Sequence, residues 1–389
     1  MRRIVSRMLE AFKKGDLVLL LLCVVATSFG CLMIASTTNA TSTGSLRYLL
    51  VQIGAAMAGI LCYVGISSFE TERLSEHRTG LVVFNTLLLL MLLPFGVTVS
   101  GNRSWLHFPF LPFNIQPAEI CKITFVLIMA SVMVERQNKN SSVSTIIVMG
   151  IHLALVAVLN WAISRDAGVS LIFVGIFVGM AFAGGVHLVW FAGGIAAILA
   201  AFPILWNVVM DEYQRLRIEV LFNPSLDANG TEVRYQTVRA LRSLTGGGLT
   251  GQGLFQGHRT QTSGALFAQH TDFIFCAIGE ELGFVGCVLV LVLLFLIVAR
   301  CIYVGIRSQD LLRRLVCFGV ASSLIFQILV NVGMCVGVMP VIGLTLPFIS
   351  YGGSSIITLY AMLGLVSGVY ARPSATSHER YIRPPRDYI

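Results

Sequence analysis

The sequence predicts an all-α polytopic membrane protein with ten transmembrane helices, and three observations carry that prediction. Hydrophobic residues make up 56% of the 389-residue chain and charged residues only 12%, with a mean hydropathy of +0.82; a soluble domain carries about 25% charged residues. Several apolar runs approach or exceed the ~18–20 residues needed to cross a bilayer. The ~10-residue alternating segments of a transmembrane β-barrel do not occur.

The ten expected spans are roughly 17–36, 48–68, 80–98, 118–134, 143–163, 168–184, 187–206, 273–299, 315–336 and 354–371. The break between the sixth and seventh rests on Gly184-Gly185-Val186-His187. The first apolar run is too long for a cleaved signal peptide and has no small-residue cleavage pattern. With the N-terminus in the cytoplasm, the inside segments carry seventeen Lys and Arg, and the short outside segments carry three. That asymmetry predicts cytoplasmic N- and C-termini. It also accounts for the formal charge of +8 as topology and attraction to anionic membrane lipid, so no nucleic-acid partner is expected. All nine cysteines fall in or beside apolar spans and read as small core residues, with no zinc spacing.

One integral domain, 1–389, is expected: a short basic cytoplasmic entry (1–16), the bundle, and a proline-containing cytoplasmic tail (372–389). The exception is a large outer loop, 207–272, between spans seven and eight. Loops this long are uncommon unless they are functional or disordered. Tyr213, Leu216, Val220 and Leu221, then Val233, Val238, Leu241 and Leu244, fall at helical spacing, which predicts two amphipathic helices along the outer membrane surface. The run Gly246 to Gly253, with five glycines, predicts a tight, pliable turn.

Four outward segments carry unusual chemistry. Arg103 and Trp105 precede Gln116-Pro117-Ala118-Glu119, where Pro117 suits a first helical turn. Glu119 and Lys122 are placed to face one another at i, i+3, as an ion pair or as a ligand site. Trp105 reads as an interfacial anchor or a substrate platform. Arg165-Asp166 forms a turn in which Asp166 is a helix cap or a site residue. His270-Thr271-Asp272 stands directly before an apolar segment, with Glu280 and Glu281 two turns on. A cap explains one acidic residue there; three in ten residues are harder to explain that way. Finally, Met339 to Ser355 contains two prolines and several glycines at membrane depth, so a re-entrant loop buried in protein or lining a cavity is expected. Together these segments predict an outer cavity with Arg103, Lys122 and Arg165 as cations and Asp272 as the leading carboxylate. Such a set suits a phosphorylated, lipid-linked substrate with the carboxylate as general base. It also suits a transporter.

The run from Ala268 to Gly286, and the run from Asn331-Val332-Gly333-Met334 through Leu346-Pro347-Phe348-Ile349-Ser350-Tyr351-Gly352-Gly353-Ser354-Ser355, resemble the signatures of the SEDS family (RodA, FtsW, SpoVE). The Arg103/Trp105 and Gln116 to Glu119 segments, Tyr235-Gln236 and the glycine run fall in the family's order. The resemblance covers essentially the whole chain. It implies a peptidoglycan glycosyltransferase that polymerises lipid II at the outer face of the bacterial cytoplasmic membrane and works with a class B penicillin-binding protein. Asp272 maps onto the family's essential aspartate and is the expected base, with inversion at the anomeric carbon. Arg103, Lys122, Arg215 and Arg217 are the expected pyrophosphate ligands. Trp105, Glu119, Asp166, His270, Thr271, Glu280, Ser350 and Ser354 complete the expected substrate-binding set. A divalent cation, Mg or Mn, would assist without a dedicated site. A lipid II flippase and a non-catalytic scaffold for the penicillin-binding protein are the competing expectations. The chain departs from the family pattern at Phe267-Ala268, where relatives carry Pro-Glu, at Arg165, where they carry Pro, and at Gly247, where they carry Ser.

Overall fold

The computed structural model describes residues 12–39, 45–99, 102–210, 212–227 and 234–372. Elements run α1 (Leu17–Thr38), α2 (Ser45–Ser67), α3 (Thr71–Glu76), α4 (Arg78–Leu90), α5 (Leu92–Phe95), β1 (Gly96–Val99), β2 (Asn102–Leu106), α6 (Pro117–Glu135), α7 (Val143–Ser164) and α8 (Ala167–Ala183). They continue with α9 (Leu188–Ile204), α10 (Glu212–Phe222), α11 (Tyr235–Gly246), α12 (Ile274–Arg307), α13 (Leu311–Cys335) and α14 (Gly353–Ala371). Among the described residues, nine helices are long and apolar enough to cross a membrane, and α8 is a further apolar helix of 17 residues.

The centre of the bundle is α6, α13 and α14, the spans with the largest buried share. α9 is the opposite case, with no buried residue along its length. An apolar helix with no protein cover is stable only where lipid surrounds it. All nine cysteines are free, and seven are buried, as expected of small core residues.

Two expectations need revision. The third span does not continue as helix to residue 98. It stops at Phe95, and β1 pairs antiparallel with β2, Val97 opposite Trp105. Val97, Thr98 and Val99 are β-formers, so once the helix stops at Gly96 the chain favours a hairpin. The two loop helices form, but α11 does not lie free along a surface. It docks on the start of α12, where Leu244 packs at Gly279 and Ser243 hydrogen-bonds to Glu280.

That docking is continued by the glycine run. α12 is broken at Gly283, whose φ of 67° leaves the helical region. The break frees backbone groups that a membrane protein must satisfy internally. The loop supplies the partners: Gln252 and Gly253 donate to the carbonyls of Glu280 and Glu281 (both 3.0 Å), and Phe284 and Val285 donate to the carbonyls of Gly248 and Leu249 (2.9 and 3.2 Å). The approach is so close that a Cβ on Gly247 would stand 1.9 Å from the Gly279 carbonyl oxygen. The glycines therefore serve close approach, where the sequence suggested only pliability.

Candidate active site

Asp272 lies two residues before α12, in a stretch held on every side by backbone contacts. Phe273 takes the cap position of the helix, with no side-chain cap, so capping does not explain the aspartate. Asn331 Nδ2, buried in α13, donates to the Asp272 carbonyl (2.9 Å) and to the Leu344 carbonyl (2.6 Å). Ser350 Oγ donates to the Thr271 carbonyl (2.6 Å), and Tyr351 N–H donates to the His270 carbonyl (2.8 Å). The segment between α13 and α14 is thereby fastened to the Asp272 stretch directly at two points and through Asn331 at a third.

That segment is the expected irregular loop at membrane depth, and its polar backbone is satisfied by carboxamides from the surrounding helices. Gln52 of α2 donates to the Ser350 carbonyl and accepts from Gly352 N–H (both 3.1 Å). Gln327 of α13 donates to the Thr345 carbonyl (3.1 Å). Leu344, Leu346, Phe348 and Ile349 fill the core beneath.

The carboxyl of Asp272 contrasts with its fixed backbone. No donor among the described residues reaches it, and its side chain is only partly covered, with Gly343 close above Oδ2. Burial, reinforced by the negative charge of Asp166, pushes its pKa up to about 6. Asp166 caps α8 through Oδ1 (from Val169 N–H, 3.0 Å) and accepts Gln116 Nε2 on Oδ2 (3.2 Å). Its own pKa is raised, chiefly by burial and further by Glu119. The two carboxylates are thus close enough for one charge to act on the other, one tied into the protein and one bare of donors. An imidazole stands beside them: His270 has its pKa lowered by burial, which favours the neutral ring.

The remaining expected site residues fall into two groups. Near Asp272 lie His270, Thr271, Asp166, Ser350 and, through its hydrogen bond to the Val341 carbonyl (3.0 Å), Arg217. Ser354 accepts Gln116 N–H (3.4 Å) and so belongs to the same network. The others are engaged with other partners, although Glu119 and Lys122 stay close enough to act on the Asp166 charge. Lys122 is buried in an ion pair with Glu119 (2.7 Å), whose other oxygen accepts Thr358 Oγ1 (3.1 Å). Arg103 donates to the carbonyls of Gly96 and Leu93 (3.1 and 2.7 Å), and Trp105 is half-buried in the same hairpin. Arg215 donates to the Met210 carbonyl (3.1 Å). Glu280 accepts Ser243 Oγ, Thr260 Oγ1 (3.0 Å) and Arg259 N–H (2.6 Å), which makes it an anchor for the loop. The pairing of Lys122 with Glu119 follows from their i, i+3 spacing.

Sequence reasoning did not single out Gln52, Gln116, Asn331, Tyr48 or Tyr351 as site residues. Gln52 and Asn331 carried a usable signal, since a carboxamide inside an apolar span needs a polar partner at membrane depth.

Comparison with known proteins identifies the family. The profile of the family described as "Cell cycle protein" (FtsW, RodA, SpoVE) matches residues 16–374. The chain is 32% identical over 377 residues to a probable peptidoglycan glycosyltransferase FtsW of Geobacter metallireducens, covering 95% of this chain and 98% of the relative. It is 32% identical over 325 residues to the peptidoglycan glycosyltransferase MrdB of Escherichia coli K12, covering 82% and 84%. Among solved structures, it superposes with a TM-score of 0.76 and 28% identity on a chain from a study of polymerisation and crosslinking by a peptidoglycan synthase complex, covering 92% and 98%. It also superposes on the rod-shape-determining protein RodA of Thermus thermophilus, with a TM-score of 0.65 and 26% identity, covering 93% and 98%. The fold and the match over nearly the whole chain lead to one conclusion: this protein is a member of the FtsW/RodA/SpoVE family and a multi-pass protein of the bacterial cytoplasmic membrane.

Proposed function

We propose that this protein is a peptidoglycan glycosyltransferase that polymerises lipid II into glycan strands at the outer face of the cytoplasmic membrane. The observation that carries the reading is the Asp272 carboxylate, bare of donors and partly open at the end of a rigid backbone cradle. A base must be unprotonated and free to accept, with a pKa near the working range, and a value of about 6 meets that condition. The relatives' names as peptidoglycan glycosyltransferases support the same chemistry.

The reaction then follows in one displacement. Asp272 accepts the proton of the acceptor 4-hydroxyl as that oxygen attacks the anomeric carbon of the donor sugar. The bond from that carbon to the pyrophosphate breaks, and undecaprenyl pyrophosphate leaves with the electron pair. Attack opposite the leaving group inverts the centre. Arg217 is the cation best placed for the pyrophosphate, because it is already bound to the loop beside Gly343. Among the described residues no cluster of three or more His, Cys, Asp or Glu could hold a metal ion. A Mg or Mn ion would therefore enter with the pyrophosphate, as this class of cation commonly does.

Orientation follows the charge asymmetry of the sequence, with the Asp272 end outward. The opposite end weighs against a flippase. There Arg300 pairs with buried Asp16 (2.8 Å), Arg313 with Glu72 (2.5 Å), and Arg372 donates to the carbonyls of Ser67, Ser68 and Phe69. These charges are taken up by partners within the protein, which leaves few to carry a headgroup across. A class B penicillin-binding protein is the proposed partner, supported by the likeness to a chain of a peptidoglycan synthase complex.

The test is polymerisation of labelled lipid II by the purified protein, with and without its class B partner, for wild type and Asp272→Asn. Glycan chains from wild type alone are expected. No chains from wild type with the partner present would replace the enzyme by a scaffold.

A further inference from the structure

Three aromatic rings meet beside Asp272. Tyr48, in the first turn of α2, lies with its ring centroid 4.9 Å from His270 and 5.0 Å from Tyr351, and His270 and Tyr351 are 5.8 Å apart. The three come from distant parts of the chain, yet all are partly exposed. A cluster whose only purpose was packing would bury its rings. These leave ring surface open at the end of the bundle that carries the bare carboxylate.

The hydroxyls point the same way. Tyrosine O–H groups in covered positions normally find a partner. Among the described residues neither the Tyr48 nor the Tyr351 hydroxyl has a hydrogen bond, although burial and the neighbouring Tyr48 raise the pKa of Tyr351. The platform is also rigidly indexed to the site. Tyr351 N–H holds the His270 carbonyl, and Gln52, one turn along from Tyr48, clamps the loop at Ser350 and Gly352.

A pyranose ring has a face of C–H bonds and an edge of hydroxyls. An aromatic face with its negative quadrupole suits the first, and phenolic hydroxyls suit the second. A lipid tail would use only the rings and a pyrophosphate only the hydroxyls, whereas a sugar uses both. We propose that Tyr48, His270 and Tyr351 form a sugar-stacking subsite that holds a pyranose of the lipid-linked substrate against Asp272. This inference rests on the glycosyltransferase reading and adds the element that recognises carbohydrate.

The test separates sugar recognition from lipid and pyrophosphate recognition. Binding of lipid II and of undecaprenyl pyrophosphate, which lacks the sugar, is measured in the Asp272→Asn background, so that turnover does not intervene. The preference for lipid II is expected to fall about tenfold in Tyr48→Leu and in Tyr351→Leu. Affinity for undecaprenyl pyrophosphate is expected to stay constant, and the Tyr→Phe variants are expected to recover most of the preference. An unchanged preference in both Leu variants overturns the proposal. So does equal loss of both ligands, with or without a fall in melting temperature, because that is the mark of a packing role. Polymerisation by the Asp272→Asn protein would instead sink the catalytic reading, and the binding comparison is then made at a temperature where no chains form.

Discussion

Asp272 and Glu280 lie within ten residues of each other, and the protein treats them in opposite ways. Glu280 is fully covered and takes donors from Ser243, Arg259 and Thr260. Its neighbour Glu281 takes Ser36, Phe255 and Gln261. Asp272 takes no donor among the described residues and keeps part of its surface open. The difference teaches how to read a carboxylate at a membrane boundary. Acceptors saturated with donors fasten loops to helices, while a bare carboxylate held only by its backbone is free to exchange a proton.

Breaking the comparison at its catalytic end gives the largest effect. Asp272→Asn is expected to lower polymerisation by about 10²–10⁴-fold, the usual contribution of a positioned base, while the melting temperature stays close to wild type. Glu280→Ala should do the reverse. Leaving three donors unpaired at about 1–3 kcal/mol each destabilises the loop by roughly 3 kcal/mol or more, read as early proteolysis of the segment around residue 255. Full activity with a destabilised loop would separate the two roles; an equal loss of activity in both variants would merge them.

Lys122→Met tests a third kind of carboxylate, the ion-paired Glu119. Removing one partner of a buried pair costs about 3–5 kcal/mol, and Glu119→Leu in the same chain should restore most of it. Gly247→Ala sharpens the loop side, since its Cβ would meet the Gly279 carbonyl. A loss of about 1–3 kcal/mol is expected from such overpacking, measurable as faster amide exchange at Gln252 and Gly253. The smallest effect is a shift in pH dependence. Activity should rise with pH as Asp272 loses its proton, with a midpoint at about 6. Asp166→Asn keeps a good capping residue and removes the negative charge that helps raise Asp272, so the limb should move to lower pH. A limb that stays in place would mean that burial alone sets the value.

Much of this was legible in the sequence, for reasons that are local. The break at Gly184-Gly185 lies between α8 and α9 as read, because Gly185 adopts a positive φ where the helix ends. Asp272 stood out because charge beside an apolar run is costly. What was not legible depends on partners far along the chain. Gln52 meets Ser350 across 298 residues, and Asn331 meets Asp272 across 59. The pairing of Tyr48 with His270 has no periodic signature at all. The β1–β2 hairpin was hidden because its valines also extend an apolar run. At Arg165 the chain takes a left-handed conformation, with φ of 57°. A proline, fixed near −65°, cannot adopt it, so the turn as built excludes proline at this position.

The pair between Asp16 and Arg300 has a consequence for how the protein is made. Its members are separated by 284 residues, and Asp16 is almost completely buried. At ~5–20 residues per second, the ribosome needs roughly 15–60 s between the two. During that interval Asp16 has the cap of α1, accepting Leu19 N–H (3.0 Å), and the ion pair closes only once α12 is in place.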